Sequence, residues 1–136
     1  MQIDKIIAQC SAEQPTAESL IRDLGVYSHE EFCVSFCARV ASEYMAGRLL
    51  FWSANAAVNW LHYFCYVDAY RGMPDFSTEI HAAFDEGEYD HAGDPPGTDP
   101  VEKYTRPFLE RVANEYGSLC APNNSLQGRR PLRAAP

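Results

Sequence analysis

Between Ser28 and Met45 the apolar side chains recur as adjacent pairs every four residues: Phe32 and Cys33, Phe36 and Cys37, Val40 and Ala41, Tyr44 and Met45. A helix turns once every ~3.6 residues, so this spacing stacks the pairs into one stripe, whereas a strand would send the two members of each pair to opposite faces. The stretch opens on Ser28 and Glu31, an S-x-x-E capping box in which each side chain can satisfy a free backbone N–H of the first turn. Gly47 stops it. No part of the chain alternates apolar and polar residues as a half-buried strand does, so the expected fold is all-α.

The same spacing places the other helices. Ile3, Ile6, Ile7 and Cys10 predict a short first helix, which Pro15 separates from a second carrying Leu20, Ile21 and Leu24 and ending at Gly25. Ser53 is the expected cap of a helix running to about Arg71. Its Val58, Trp60, Leu61, Phe64, Cys65 and Val67 make it apolar on most sides, the mark of a central helix. After Gly72 and Pro74, Phe76, Ile80, Ala83 and Phe84 predict a helix as far as Glu86. The next segment, Gly87 to Pro100, holds three prolines and three glycines and is expected to be a loop. Asp99 and Glu102 form a second capping box, with Pro100 at the first helical position, for a last helix whose inner face is Val101, Tyr104, Thr105, Phe108 and Val112. The expectation is a single-domain bundle of about five or six helices over residues 1–117, with an acidic Pro/Gly-rich loop before the last helix. Residues 118–136, where the apolar periodicity ends, are expected to be a flexible C-terminal tail.

Charge is distributed unevenly. Of a net charge of −8, Gly72 to Glu102 carries −9, from nine acidic residues and no lysine or arginine, between flanks of −3 and +4. A field of that sign discourages nucleic acid, whose phosphates need basic side chains, and suits a cationic partner. No apolar run approaches the ~20 residues that span a bilayer, because Asn55, Asn59 and His62 interrupt Ala54 to Val67; no membrane association is expected. Met1 to Gln9 has no basic-then-apolar secretion pattern, so the expected location is cytoplasmic, and five cysteines without a CxxC pair are expected to be reduced.

Three groups of residues could carry chemistry. Asp85, Glu86 and Glu88 crowd the end of a helix, where carboxylates oppose the dipole, and Asp90 and Asp94 follow in the loop. A local cost that folding does not require points to function, so Asp85, Glu86, Glu88, Tyr89, Asp90 and Asp94 are the candidate partner-binding residues. The plainer alternative is a solvated acidic face. A calcium loop counted from Glu88 puts Asp90 at position three, Gly93 at six and Asp99 at twelve, then fails at Ala92 and Pro96. The second group is His29, Cys33 and Cys37, four residues apart on one side of a helix; zinc would need a further ligand such as His62 or Cys65. Cysteine is among the most buried residue types, so the reading adopted is two core thiols, with His29 in an exposed first turn, and neither metal nor cofactor. The third group is aromatic: Trp52, Trp60, Tyr63, Tyr66, Tyr70 and Tyr89 lie near the acidic segment, and most are expected to be core residues, with Tyr63, Tyr66 and Tyr70 sharing one side. No G-x-S-x-G, phosphate-binding glycine loop or H-E-x-x-H occurs, and the chain is not expected to be an enzyme.

The run Phe84-Asp85-Glu86-Gly87-Glu88-Tyr89-Asp90-His91, followed by Asp99-Pro100 and Lys103-Tyr104-Thr105-Arg106-Pro107, resembles a pattern in small bacterial immunity proteins of polymorphic toxin systems. The resemblance spans residues 84 to 107. It implies a cytosolic antitoxin-like protein that binds a cognate toxin and blocks its active site or a functional surface. Acidic inhibitors of basic toxins associate through charge complementarity and electrostatic steering. The expected function is therefore an immunity-type inhibitory binding protein. The alternatives are a structural or adaptor domain whose acidic loop is only solvated, and a metal-dependent enzyme using the same carboxylates.

Overall fold

A computed structural model describes residues 4–8 and 28–117. These residues form five helices and no strand: α1 (residues 4–8), α2 (His29–Met45), α3 (Phe51–Tyr63), α4 (Asp75–Asp85) and α5 (Arg106–Tyr116). The fold is the expected all-α bundle. The helix expected around Leu20 to Leu24 and the expected tail at 118–136 lie outside the described residues.

The stripe on α2 is buried as its spacing requires, from Phe32 and Cys33 to Ala41 and Tyr44, with Met45 half-buried at its end. Ser28 caps it by accepting the Glu31 N–H at 3.1 Å, and Gly47 turns the chain away with φ of +79°. α1 lays Ile6 and Ile7 on this core and is tied down by Asp4, which accepts two hydrogen bonds from the Arg39 guanidinium at 2.8 and 3.1 Å.

α3 departs from expectation at both ends. It starts at Phe51, with Leu50 in the capping position and Ser53 already inside the first turn. The reason is packing: the Phe51 ring lies 6.3 Å from Tyr44 and 5.9 Å from Phe84, and this contact draws the helix start upstream of the available cap. At the other end the helix gives way after Tyr63 to a π-helical turn, Phe64–Asp68. The wider turn keeps Phe64 and Cys65 buried but swings Val67 outward, to 46% exposure, contrary to its expected place in the core.

Nor is α3 the central helix. α4 packs against α2, α3 and α5, whereas α3 packs chiefly against α2 and α4. Phe76, Ser77, Ile80, Ala83 and Phe84 of α4 are wholly buried, and each large apolar side chain removed from water contributes about 1.5–3 kcal/mol. Aromatic contacts join the layers: Phe36 to Trp60 at 5.6 Å, Trp60 stacked on Phe64 at 5.6 Å, and Phe76 edge-on to Tyr116 at 5.0 Å. Among the described residues α3 is therefore left with a free outer face. Most of the aromatics near the acidic segment were expected in the core, but Trp52, Tyr63, Tyr66, Tyr70 and Tyr89 are exposed and Trp60 is the one that is buried.

Before α5, Asp99 caps by accepting the Val101 N–H at 3.0 Å. Glu102 instead pairs with Arg106 at 3.5 Å. Val101–Thr105 forms a second π-helical turn, whose extra residue rotates the face that follows. Leu109, Val112 and Tyr116 consequently supply the buried stripe of α5, while Val101, Tyr104 and Phe108 are only half-buried. No described helix is long and apolar enough to cross a membrane.

Candidate functional site

The acidic loop begins with a close approach. Gly87 is buried between α3 and the start of α5, and a Cβ there would lie 2.3 Å from Thr105 Oγ1 and 2.9 Å from the Phe51 ring. Thr105 cannot simply turn away, because its hydroxyl donates to the Ala83 carbonyl at 2.7 Å, holding the end of α4 against the last helix. The loop thus leaves the core at a point where only glycine fits.

Beyond Gly87 the carboxylates divide into two groups. Glu86 accepts from Tyr89 Oη at 3.1 Å, His91 Nε2 donates to the Glu86 backbone carbonyl at 2.8 Å, and the same nitrogen lies 3.2 Å from the Glu86 carboxylate. The His91 ring is sandwiched between Tyr89, at 4.4 Å, and Tyr104, at 3.8 Å. Asp94 accepts from Tyr104 Oη at 2.7 Å and pairs with Lys103, leaving its side chain 13% exposed. Lys103 first, then the Tyr104 hydroxyl, holds the Asp94 carboxyl below the usual aspartate range. Asp94 thereby pins the loop to the π-helical turn before α5, and Glu86 fastens the loop to itself. Asp85 and Asp90, in contrast, are exposed, and their carboxylates make no hydrogen bond or ion pair among the described residues.

Glu88 connects the loop to the outer face of α3. Its Oε2 accepts from Asn59 Nδ2 at 3.0 Å, and Asn59 Oδ1 accepts from His81 Nε2 at 3.0 Å. His81 stacks on His62 at 4.3 Å, and the His62 ring lies tilted against Tyr66 at 4.8 Å. Burial first, then the neighbouring His62, lowers the His81 pKa and favours the neutral ring with its proton on Nε2. Trp52, Ala56, Asn59 and Tyr63 stand at i, i+4, i+7 and i+11, one side of the helix. Glu88 is therefore held at the middle of a face with exposed Trp52 at one end and Tyr63 at the other. Asn59 read in the sequence only as an interruption of an apolar run, and His62 as that or as a candidate further zinc ligand. Two polar residues three apart in such a run were the signal that α3 has a wet side.

The thiol group is also rearranged. His29 and Cys33 meet Cys65, not Cys37: the Nδ1 or Nε2 of His29 and the two Sγ atoms all lie within 4.8 Å of one another. The Cys33 and Cys65 sulfurs are 3.4 Å apart, and Cys33 Sγ is 3.6 Å from His29 Nε2. Its hydrogen bond with Cys65, then burial, raises the Cys33 pKa far above the ordinary thiol value.

Comparison of the chain with known protein families, with curated proteins and with solved structures finds no match.

Proposed function

We propose that this chain is an immunity-type inhibitory binding protein that captures a cationic toxin on the face formed by the acidic loop and the outer side of α3. The observation that carries this reading is the division of the carboxylates: Asp85 and Asp90 stay on the surface without a hydrogen bond or ion pair among the described residues, in a loop that exposes Tyr89 and that Glu88 joins to the α3 face bearing exposed Tyr63 and Trp52. Carboxylates around aromatic side chains suit a lysine- or arginine-rich surface, the carboxylates steering the encounter and the rings supplying buried contact area. The proposed contact residues are Asp85, Glu88, Tyr89 and Asp90, with Glu86 and Asp94 holding the loop that presents them.

The test is co-expression with the product of a neighbouring toxin-like reading frame, followed by binding measured at increasing salt. Wild-type chain is expected to protect the host. A triple variant carrying Asp85→Lys, Glu88→Lys and Asp90→Lys is expected to keep its helical circular dichroism, bind at least ~100-fold more weakly and lose protection. Equal protection by the triple variant, with binding indifferent to salt, would defeat the reading and leave the loop as a solvated surface.

A further inference from the structure

On the far side of α3 from its start, three side chains with soft donor atoms converge without any role in the proposed binding face. We propose that His29, Cys33 and Cys65 bind a single zinc ion, a structural clamp joining the start of α2 to the turn that follows α3. Four-coordinate zinc, with Zn–S about 2.3 Å and Zn–N about 2.0–2.1 Å, sets its ligand atoms about 3.5–3.8 Å apart. Cys33 Sγ is 3.6 Å from His29 Nε2 and 3.4 Å from Cys65 Sγ. Of the three donor pairs, one is already at the coordinated spacing, a second needs to open by a few tenths of an ångström, and the third, His29 to Cys65, lies within 4.8 Å.

The backbone around the three donors is unusual in a way their packing alone does not require. Cys65 lies in the π-helical turn, a local insertion that recurs at functional sites. Five residues on, Tyr70 is held at φ of +56°, the one non-glycine residue with positive φ among those described, and Gly72 follows at +69°. An L-residue in that conformation costs about 1–2 kcal/mol, so the turn is held by its surroundings. Its outcome is to bring the Gly72 carbonyl to 2.7 Å from His29 Nε2, while the Arg71 and Gly72 N–H groups both donate to the Cys65 carbonyl. An oxygen donor thus stands beside the imidazole nitrogen, and this carbonyl or a water would supply the fourth ligand once the ion displaces that hydrogen bond. His29 is half-buried whereas both thiols are fully enclosed, so the imidazole side is the route of entry. Binding exchanges the two thiol protons, released to solvent, for one Zn²⁺, and moves the imidazole proton to Nδ1; the buried ensemble of two thiolates and one dication is neutral. The clamp would fix the turn on which Tyr66, packed over Gly72, and Tyr70 are exposed.

The decisive measurements use the full chain purified reduced and without a histidine tag. One zinc per chain by elemental analysis is expected. One equivalent of Co²⁺ should give the thiolate charge-transfer and intense visible bands of a tetrahedral site. Cys65→Ser and His29→Gln should each lower zinc affinity by more than about tenfold, and Cys37→Ala should leave the cobalt spectrum unchanged. His29 sits half-buried in a first turn, so His29→Gln decides the matter if Cys65→Ser does not fold. Absence of a charge-transfer band in the wild-type chain, a spectrum indifferent to His29→Gln, or a native mass two hydrogens light from a Cys33–Cys65 disulfide would each overturn the proposal.

Discussion

The two stretches that interrupt the helices, residues 64–74 and residues 86–100, are held in opposite ways. The acidic loop leaves the core through a gap with no room for a Cβ and is then fastened at the surface, by His91 between two tyrosine rings and by Asp94 on Lys103 and Tyr104. Its backbone needs glycine at Gly87 for space. The turn after α3 has the space but not an easy backbone: a π-helical turn, then Tyr70 and Gly72 at positive φ, converging on enclosed sulfur and imidazole. Density of charge and convergence of donors are therefore separate properties. The stretch with the conspicuous composition uses much of its charge to hold itself in place, and the stretch with an unremarkable composition carries Cys65 to two side chains of α2 with which it could hold a metal.

That contrast can be broken most severely at Gly87. Gly87→Ala is expected to destabilise the fold by about 2–3 kcal/mol, because its methyl meets Thr105 and Phe51. Urea unfolding should show a lower midpoint with an unchanged slope. An unaltered midpoint would mean that the loop is not held by lack of space. A smaller effect of the opposite sign is expected in the other turn. Tyr70 is 87% exposed and strained, so Tyr70→Gly relieves the positive φ with little loss of burial and should raise stability by about 0.5 kcal/mol, the conformational relief being partly offset by the freer unfolded glycine. A loss of stability there would show that the ring makes a contact worth more than the strain.

The smallest effect belongs to the surface fastening. Asp94 has a depressed pKa in the folded chain, so its contribution is present above the unfolded aspartate value of about 3.9 and is lost as pH falls through the folded value. Asp94→Asn should therefore melt slightly below wild type at pH 7, and the two melting curves should draw together as the pH is lowered into that range. A gap that stays constant down to the acid limit would assign the effect to shape and not to charge.

Local pattern reached far into the fold. The pairs from Phe32 to Met45, the cap at Ser28 and the stops at Gly47 and Gly87 are readable because a helix imposes one short period on the residues that must face inward. Asp99 as a cap was legible for the same reason, and so was the loop it ends. The start of α3 was not, because the competing term is the contact of Phe51 with Tyr44 and Phe84, which are 7 and 33 residues away in the chain. Among the candidate contact residues, Asp85 and Asp94 look alike in the sequence. Only the approach of Lys103 and Tyr104 to one of them separates an engaged carboxylate from a free one.

What the amino-acid order determined alone is the helical class, the position of the acidic loop and the sign of its field, all of which follow from short-range periodicity, backbone stereochemistry and formal charge. What only the tertiary structure decided is which helix became central, which face of α3 remained open, and that His29 and Cys33 meet Cys65 in place of Cys37. Periodicity specifies that a side chain turns inward but not what it meets there. That partner is chosen by how three helices close-pack, a choice made across dozens of residues and therefore absent from any local pattern.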